Sequence, residues 1–211
     1  MGNRDTELHE ADATKQALSA SAGTFDFETI VANPALRHDG PIGHTQLKSY
    51  LRHRHPMIGI DQVLKHDFDA GWLYAVRAVS SSHPAFEGHF EDAAIYPGTH
   101  LAQDIIQLGI VLFLGTTREL RGQDRNQEMT IVSRLAVELG HPVPPGSLLD
   151  VAVWRTAGKG ERSIEFGFEA RVRDFPFYAG RNAVGMSFRA ALTGSAELVR
   201  VKRRIYDGIG F

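Results

Sequence analysis

The chain contains no cysteine among its 211 residues. It therefore has no disulfide framework, no thiolate metal ligand and no thiol nucleophile, which fits a cytoplasmic protein. It also lacks a run of about 18 consecutive apolar residues, so we expect no membrane-spanning helix. Neither charge sign is in excess, because 23 Lys and Arg residues face 25 Asp and Glu residues. Since neutralising phosphates needs surplus positive charge, we expect no nucleic-acid partner.

The composition is that of an ordinary folded domain, with 43% hydrophobic residues and a net charge of −2. At roughly 150 residues per domain, the length fits one domain with an extension. Residues 1–44 are rich in Ala, Ser, Asp and Glu, with helical periodicity only at 7–18. We interpret them as an N-terminal arm that is either disordered or ordered by a partner. The folded domain is predicted to span residues 45–211.

Six strand-like runs lie in this domain, after a short helix around Leu47 and Tyr50 that Pro56 is predicted to end. The clearest run begins at Ser163, where apolar residues alternate with polar or small ones. Alternation with a period of two is typical of a sheet with one buried face, and antiparallel pairing is expected. The six runs are 57–65, 72–79, 129–139, 148–156, 163–173 and 183–192.

One long helix is predicted between the second and third runs. Its residues from Leu101 to Leu112 are apolar on nearly every side, and Pro97 and Gly98 stand just before it. A helix of this kind must be buried on most faces. The fold class we expect is α+β, with an antiparallel sheet of five or six strands wrapped around one central helix.

The most informative motif lies in residues 84–107. His89 stands in a Gly-His-Phe sequence, and Gly98 follows nine residues later in a Pro-Gly pair that opens the helix. Two further segments, at 53–63 and 141–146, read HRHPMIGIDQV and HPVPPG. Together the three segments resemble the 3-hydroxyacyl-acyl-carrier-protein dehydratases of the FabA and FabZ type. That resemblance implies the hotdog fold, whose sheet wraps one helix.

The resemblance also implies a role for each matching position. His89 would be the base that removes the α-proton of a 3-hydroxyacyl thioester, and an imidazole suits that task. The backbone N–H of Gly98 would bind the thioester oxygen as negative charge develops, because free N–H groups at a helix start favour anions. Phe90, Pro97 and Gln107 are predicted to bind the substrate.

One catalytic position departs from the family pattern. Five residues after Gly98 the family carries Glu or Asp, which protonates the departing β-hydroxyl, whereas this chain carries Gln103. An amide can hold a hydroxyl by a hydrogen bond but cannot give it a proton. Loss of general-acid catalysis costs a factor on the order of 10²–10⁴ in rate. Catalysis by a homodimer of this chain is therefore in question.

Several solutions remain open at this point. In the family the His and the acid of one site come from different subunits, so a hotdog partner carrying the acid would complete a site opposite His89. Asp104 can replace the acid only if the loop shifts, because one helical residue turns it by about 100° from Gln103. Asp104 and His100, four residues apart on one helix face, can instead form the acid-base pair of an acyl thioesterase. A non-catalytic hotdog subunit that binds acyl chains is the remaining alternative.

The resemblance also predicts the partners. The substrate is expected to be an acyl chain of fatty-acid or polyketide synthesis, linked through phosphopantetheine to an acyl carrier protein. Arg200, Lys202, Arg203 and Arg204 form a basic cluster that is a weak candidate for docking this acidic protein. A homodimer, a heterodimer with another hotdog protein, or a higher oligomer is expected. No cofactor is expected, and no metal, because the histidines lack ligand spacing.

Overall fold

A computed structural model describes residues 25–90, 93–117, 128–158, 162–173 and 190–202 of the chain. The predicted short helix at 7–18 lies outside these residues. The described residues form three helices, α1 (Phe27–Ala32), α2 (His44–Tyr50) and α3 (Gly98–Thr116), with a 3₁₀ turn at Pro84–Glu87. The strands are β1 (Gln62–Asp67), β2 (Trp72–Val79), β3 (Glu128–Leu139), β4 (Ser147–Ala157), β5 (Ser163–Val172) and β6 (Ala190–Lys202).

The six strands form one sheet in the order β1-β2-β4-β5-β6-β3. Every neighbouring pair runs antiparallel, as the alternating pattern of β5 predicts. The long helix α3 packs across this sheet, with contacts to β2, β3, β4, β5 and β6. The predicted α+β architecture of one helix against one antiparallel sheet is therefore confirmed.

The core lies between α3 and the sheet. Ile105, Leu108 and Leu112 of the helix are fully buried, as are Phe166 and Phe168 of β5. By length and composition α3 is apolar enough to cross a membrane, which the sequence analysis did not foresee, but 67% of it is buried inside the fold. Burial against the sheet accounts for its apolar character.

The outer face of the sheet is covered by the N-terminal segment. Asp26 caps α1 by accepting a hydrogen bond from the Thr29 N–H at 2.8 Å, an ordinary N-cap. Phe27 and Ile30 of α1 then pack in a second apolar cluster with Trp72. The sequence analysis missed α1 and treated residues 1–44 as an arm. Its described part, from residue 25 onward, is ordered by the protein's own sheet.

Three predicted boundaries were wrong. β1 begins at Gln62 rather than at residue 57, because Met57 is half exposed and the segment after it bonds to a side chain of α3 instead of a strand. α2 ends at Tyr50, well before Pro56. The last strand was predicted at 183–192, but β6 runs from Ala190 to Lys202, and residues 183–189 lie outside the described part.

The two edges of the sheet differ. The β1 edge is bridged by the preceding segment, through Asp39 to His66 and Ile42 to Val63. In the part of the chain that the structure describes, no strand pairs with the outer edge of β3. That strand carries four exposed large apolar side chains, Val132, Leu135, Val137 and Leu139. A long, unpaired and apolar edge is suited to pairing with another chain.

Candidate active site

His89 lies in the loop between the 3₁₀ turn and α3, and it is half-buried. Its Nδ1 lies 2.9 Å from the carbonyl oxygen of Ile95. Because a carbonyl can only accept a hydrogen bond, Nδ1 is the donor here, and no hydrogen-bond partner of Nε2 is found within the described ranges. The Ile95 N–H also donates to the His89 carbonyl at 3.4 Å, which closes the loop. The imidazole is therefore oriented to act as a base through Nε2.

Phe90 follows with a backbone φ of +42°, in the left-handed region. An aromatic residue rarely adopts this conformation, which costs about 1–3 kcal/mol and is found preferentially at functional sites. Its ring centre lies 4.2 Å from that of His89, and 55% of the residue is exposed. The strained backbone thus places an exposed aromatic ring against the predicted base.

Gly98 is the first residue of α3, and Pro97 is its N-cap. No intrahelical acceptor exists for the Gly98 N–H, and no hydrogen bond from it occurs among the described residues. A Cβ at Gly98 would lie 2.5 Å from a methyl of Leu139, so any larger residue at the helix start would displace the Leu139 side chain at the end of β3. Since Ile95 is three residues before Gly98, His89 and this free N–H belong to one loop-helix junction.

The two glutamines of α3 have different surroundings. Gln103 is half-buried, and no hydrogen bond to its side chain is found in the described ranges. Gln107 is buried, its Oε1 accepts from the Gly59 N–H at 3.1 Å, and its Nε2 donates to the Met57 carbonyl at 2.6 Å. Both ends of the Gln107 amide are thus used by backbone. Gln107 holds the segment before β1, and its predicted role in substrate binding stays a prediction.

Asp104 is 4% exposed and lies in a polar cluster with Arg77 and Tyr96. Its Oδ2 accepts a hydrogen bond from the Tyr96 hydroxyl at 3.0 Å and lies 3.4 Å from Nε of Arg77. Burial raises the pKa of Asp104 to about 6, which outweighs the opposing influence of Arg77 and Tyr96. Burial and the Asp104 charge likewise raise the pKa of Tyr96 to about 12, so the phenol keeps its proton.

His100 does not pair with Asp104 in the described structure. It is exposed, and its ring faces those of Tyr96 at 5.8 Å and His83 at 6.1 Å. The acid-base pair predicted at i and i+4 is therefore absent from the described contacts of Asp104, whose partners are Tyr96 and Arg77.

Sequence reasoning missed Arg77 and Tyr96. Arg77 is the one charged residue in the apolar run 72–79, and Asp104 is the one Asp, Glu, Lys or Arg residue in α3. Two opposite charges isolated in two apolar elements of one core predict an ion pair, because a lone buried charge is costly. That signal was available in the sequence.

The predicted docking cluster is partly wrong. The side chain of Arg200 is only 7% exposed, its Nε lies 3.2 Å from Glu128, and its guanidinium stands 5.1 Å from the ring centre of Phe113. It stabilises the β3–β6 pair and cannot dock a carrier protein. Lys202 is exposed at the end of β6, whereas residues 203 and 204 lie outside the described part.

Elsewhere, a pocket of about 260 Å³ lies at the C-terminal end of α3, beside Phe113, Arg155 and Ser163. It contains none of the predicted catalytic residues. The described residues hold no group of three or more His, Asp or Glu side chains that could bind a metal ion.

Comparison with known proteins places this geometry in a family. A family model described as the FabA-like domain matches residues 51–172. A coronafacic acid dehydratase from Pseudomonas savastanoi pv. glycinea is 42% identical over 109 residues, which cover 51% of this chain and 62% of the relative. The match thus spans less than two thirds of that relative. A 3-hydroxyacyl-[acyl-carrier-protein] dehydratase FabZ from Magnetococcus marinus is 30% identical over 145 residues, covering 63% of this chain and 90% of the relative.

A solved structure shares the fold. The chain resembles a subunit of the dehydratase heterocomplex ApeI:P from Xenorhabdus doucetiae with a TM-score of 0.58 and 16% identity, covering 78% of this chain and 97% of that one. The hotdog fold implied by the sequence motifs is therefore confirmed. The chain belongs to the FabA-like family of hotdog proteins.

Proposed function

We propose that the chain is a (3R)-hydroxyacyl-acyl-carrier-protein dehydratase subunit that supplies the base and the oxyanion donor of the site. The observation that carries this proposal is the junction of His89 and Gly98. There the Nδ1–H of His89 is bonded to Ile95, and neither Nε2 nor the first N–H of α3 has a partner among the described residues. A base nitrogen and an anion-binding N–H in one loop-helix segment are the two groups that α-proton removal next to a thioester requires.

The reaction follows from these two groups. Nε2 of His89 takes the α-proton, and the electron pair of that C–H bond moves toward the thioester oxygen. The N–H of Gly98 stabilises the resulting enolate, aided by the dipole of α3. The enolate then expels the β-oxygen, which leaves as water after accepting a proton from an acid. The products are a 2-enoyl thioester and water.

The acid is the part that this chain does not supply. Gln103 can orient the β-hydroxyl but cannot protonate it, and Asp104 is buried and engaged with Tyr96 and Arg77. We therefore propose that a second hotdog protein carrying Glu or Asp at the position of Gln103 completes the site. The ApeI:P complex, a relative by fold, is described as a dehydratase heterocomplex.

The edge strand β3 supports a shared site. Its apolar side chains are exposed, and Leu139, at its end, lies directly against Gly98. A partner that pairs with β3 would therefore stand beside the start of α3. A homodimer formed through the same edge would bring two bases and no acid.

The proposed substrate is an acyl chain on the phosphopantetheine of an acyl carrier protein. The 42% identity to a coronafacic acid dehydratase favours a polyketide-type chain over a general fatty-acid chain. We place this activity in the cytoplasm, which agrees with the absence of cysteine. The thioesterase alternative is weakened because the carboxylate of Asp104 is already bonded inside the core.

The test is a product assay with a 3-hydroxyacyl carrier substrate, analysed by mass spectrometry. The chain alone should dehydrate slowly, and Gln103→Glu should raise its rate by about 10², because the general acid is restored opposite the partner's base. Gln46→Glu, which adds the same charge at an exposed position on α2, is the matched control and should leave the rate unchanged.

Other outcomes overturn the proposal. Release of free acid would identify a thioesterase. Failure to form the enoyl product with Gln103→Glu, and again with an acid-bearing hotdog partner, would leave a non-catalytic subunit.

A further inference from the structure

The residue just before the Pro97-Gly98 turn is held at both of its ends. The backbone N–H of Tyr96 donates to the carbonyl of Val143 at 2.7 Å, and its hydroxyl donates to Oδ2 of Asp104 at 3.0 Å. Tyr96 itself is buried. Since Gly98 is only two residues further on, the position of Tyr96 determines where the first free N–H of α3 points.

Asp104 is in turn fixed from several directions. Arg77 of β2 approaches its Oδ2, and a Cβ on Gly59 would lie 1.5 Å from its Oδ1, so the carboxylate is packed directly on the Gly59 backbone. The backbone N–H of the same Gly59 donates to the side-chain oxygen of Gln107, one turn further along α3. Asp61 adds a weaker contact to Arg77 at 3.7 Å. The helix, β2 and the segment before β1 thus meet at one carboxylate.

Stability alone does not explain this arrangement. Taking a carboxylate and a guanidinium out of water is expensive, and it is repaid only by excellent geometry. Here the pairing of Arg77 with Asp104 is loose. Nε of Arg77 is buried and lies 3.4 Å from the carboxylate, but it makes no hydrogen bond within the described residues. Apolar residues in place of both Asp104 and Arg77 would fill the core at less cost, so the carboxylate serves the group that it does bind well, the Tyr96 hydroxyl.

We propose that Asp104 is a positioning residue that, through Tyr96, fixes the Pro97-Gly98 turn so that the Gly98 N–H faces the thioester oxygen. This inference rests on the proposed function and deepens it. It assigns Asp104 a role other than proton donor or thioesterase residue, and it makes Tyr96 the link between the buried cluster and the oxyanion site.

The chain provides a matched control. Tyr74 also donates its hydroxyl to a buried aspartate, Asp150, which an arginine, Arg173, accompanies. That second cluster lies on the outer face of the sheet, with Trp72 and α1, away from the loop-helix junction. Tyr96→Phe and Tyr74→Phe each remove one buried tyrosine–aspartate hydrogen bond and keep the ring.

The experiment measures exchange of the α-protons of a saturated acyl carrier thioester in D₂O, a reaction that needs base and oxyanion donor but no acid. Tyr96→Phe should lower the maximal exchange rate by about tenfold or more with little change in KM, because a misplaced donor acts mainly on the transition state. Tyr74→Phe should keep the rate within about twofold of the unmodified protein. Both variants should lose similar stability.

A second readout separates this inference from the proposed function. The amide ¹H–¹⁵N signal of Gly98 should shift in Tyr96→Phe and Asp104→Asn and stay in place in Tyr74→Phe. If the unmodified chain exchanges protons but the two tyrosine variants behave alike and the Gly98 signal does not move, the positioning role is wrong while the function stands. If the unmodified chain exchanges nothing, the proposed function fails, and the Gly98 signal alone decides the positioning role.

Discussion

Two Tyr–Asp–Arg clusters in this protein have the same composition and different geometry. On the outer face of the sheet, Arg173 donates through Nε to both oxygens of Asp150, at 3.1 and 3.0 Å, and through Nη2 to the Tyr74 hydroxyl at 3.0 Å. In the cluster of Arg77, Tyr96 and Asp104, Nε of Arg77 lies 3.4 Å from Asp104 and forms no hydrogen bond among the described residues.

The difference separates a stabilising cluster from a positioning one. Bidentate geometry and partial exposure let the outer cluster join β2, β4 and the end of β5 at low cost. The inner cluster is more deeply buried and less well paired, and burial raises the pKa of Asp104 to about 6. A protein retains such an arrangement where it orders a functional group, and here the group is the turn that begins α3.

The largest expected effect on the free energy of unfolding comes from removing the carboxylate of each cluster, Asp104 or Asp150. Asp104→Ala should lower the free energy of unfolding by about 3–5 kcal/mol, because Arg77, whose side chain is 11% exposed, loses its buried partner. Asp150→Ala should cost only about 1–3 kcal/mol, since the Arg173 side chain is 35% exposed and can turn to water. Urea denaturation measures both. Equal losses would remove the distinction between the clusters.

A smaller effect is expected from pH. The carboxyl of Asp104 keeps its proton up to about pH 6 in the fold, but only to its ordinary pKa of 3.8 when unfolded. Between pH 4 and 6 the folded state therefore holds more protons, so stability falls as pH rises, by on the order of 3 kcal/mol, and then levels off. The groups that face this carboxyl are Arg77, Asp61 and Tyr96.

The control for the pH effect is Asp104→Asn, which cannot titrate at this position. The difference in unfolding free energy between the unmodified protein and this variant should decline from pH 4 to 6 and be constant above. A difference that is flat over this range, or that rises, would contradict the burial of a titrating carboxylate at position 104.

Periodicity predicted the parts of the fold that local pattern determines. The alternation in β5 and the all-round apolar character of α3 identified a sheet and a buried helix, because each pattern follows from the geometry of its own element. α1 was missed because six residues carry too little periodicity, and their apolar side chains gain a partner only when Trp72 folds next to them. The end of β6 was missed because its pairing with β3 is a long-range contact, in which Arg200 meets Glu128 and Phe113.

The candidate site shows the same contrast between residues that local sequence pattern predicts and residues that only tertiary packing brings together. His89, Gly98 and Gln103 could be proposed from the sequence because they occupy fixed spacings in one motif. Tyr96 and Arg77 were not, since their meeting with Asp104 depends on how β2 packs against α3. The backbone contacts of Gln107 were missed for a related reason: its partners, Met57 and Gly59, lie about 50 residues away in the chain.

The most direct test of the account is the exchange of α-protons on a saturated acyl carrier thioester in D₂O, because it isolates the base and the oxyanion donor from the missing acid. We expect this chain to exchange the α-protons without any partner protein's acid. His89→Ala should slow the exchange by about 10²–10⁴, while the control His44→Ala, at an exposed position of α2, should not. Exchange that is absent in the unmodified chain, or unaffected by His89→Ala, would contradict the assignment of His89 as the base.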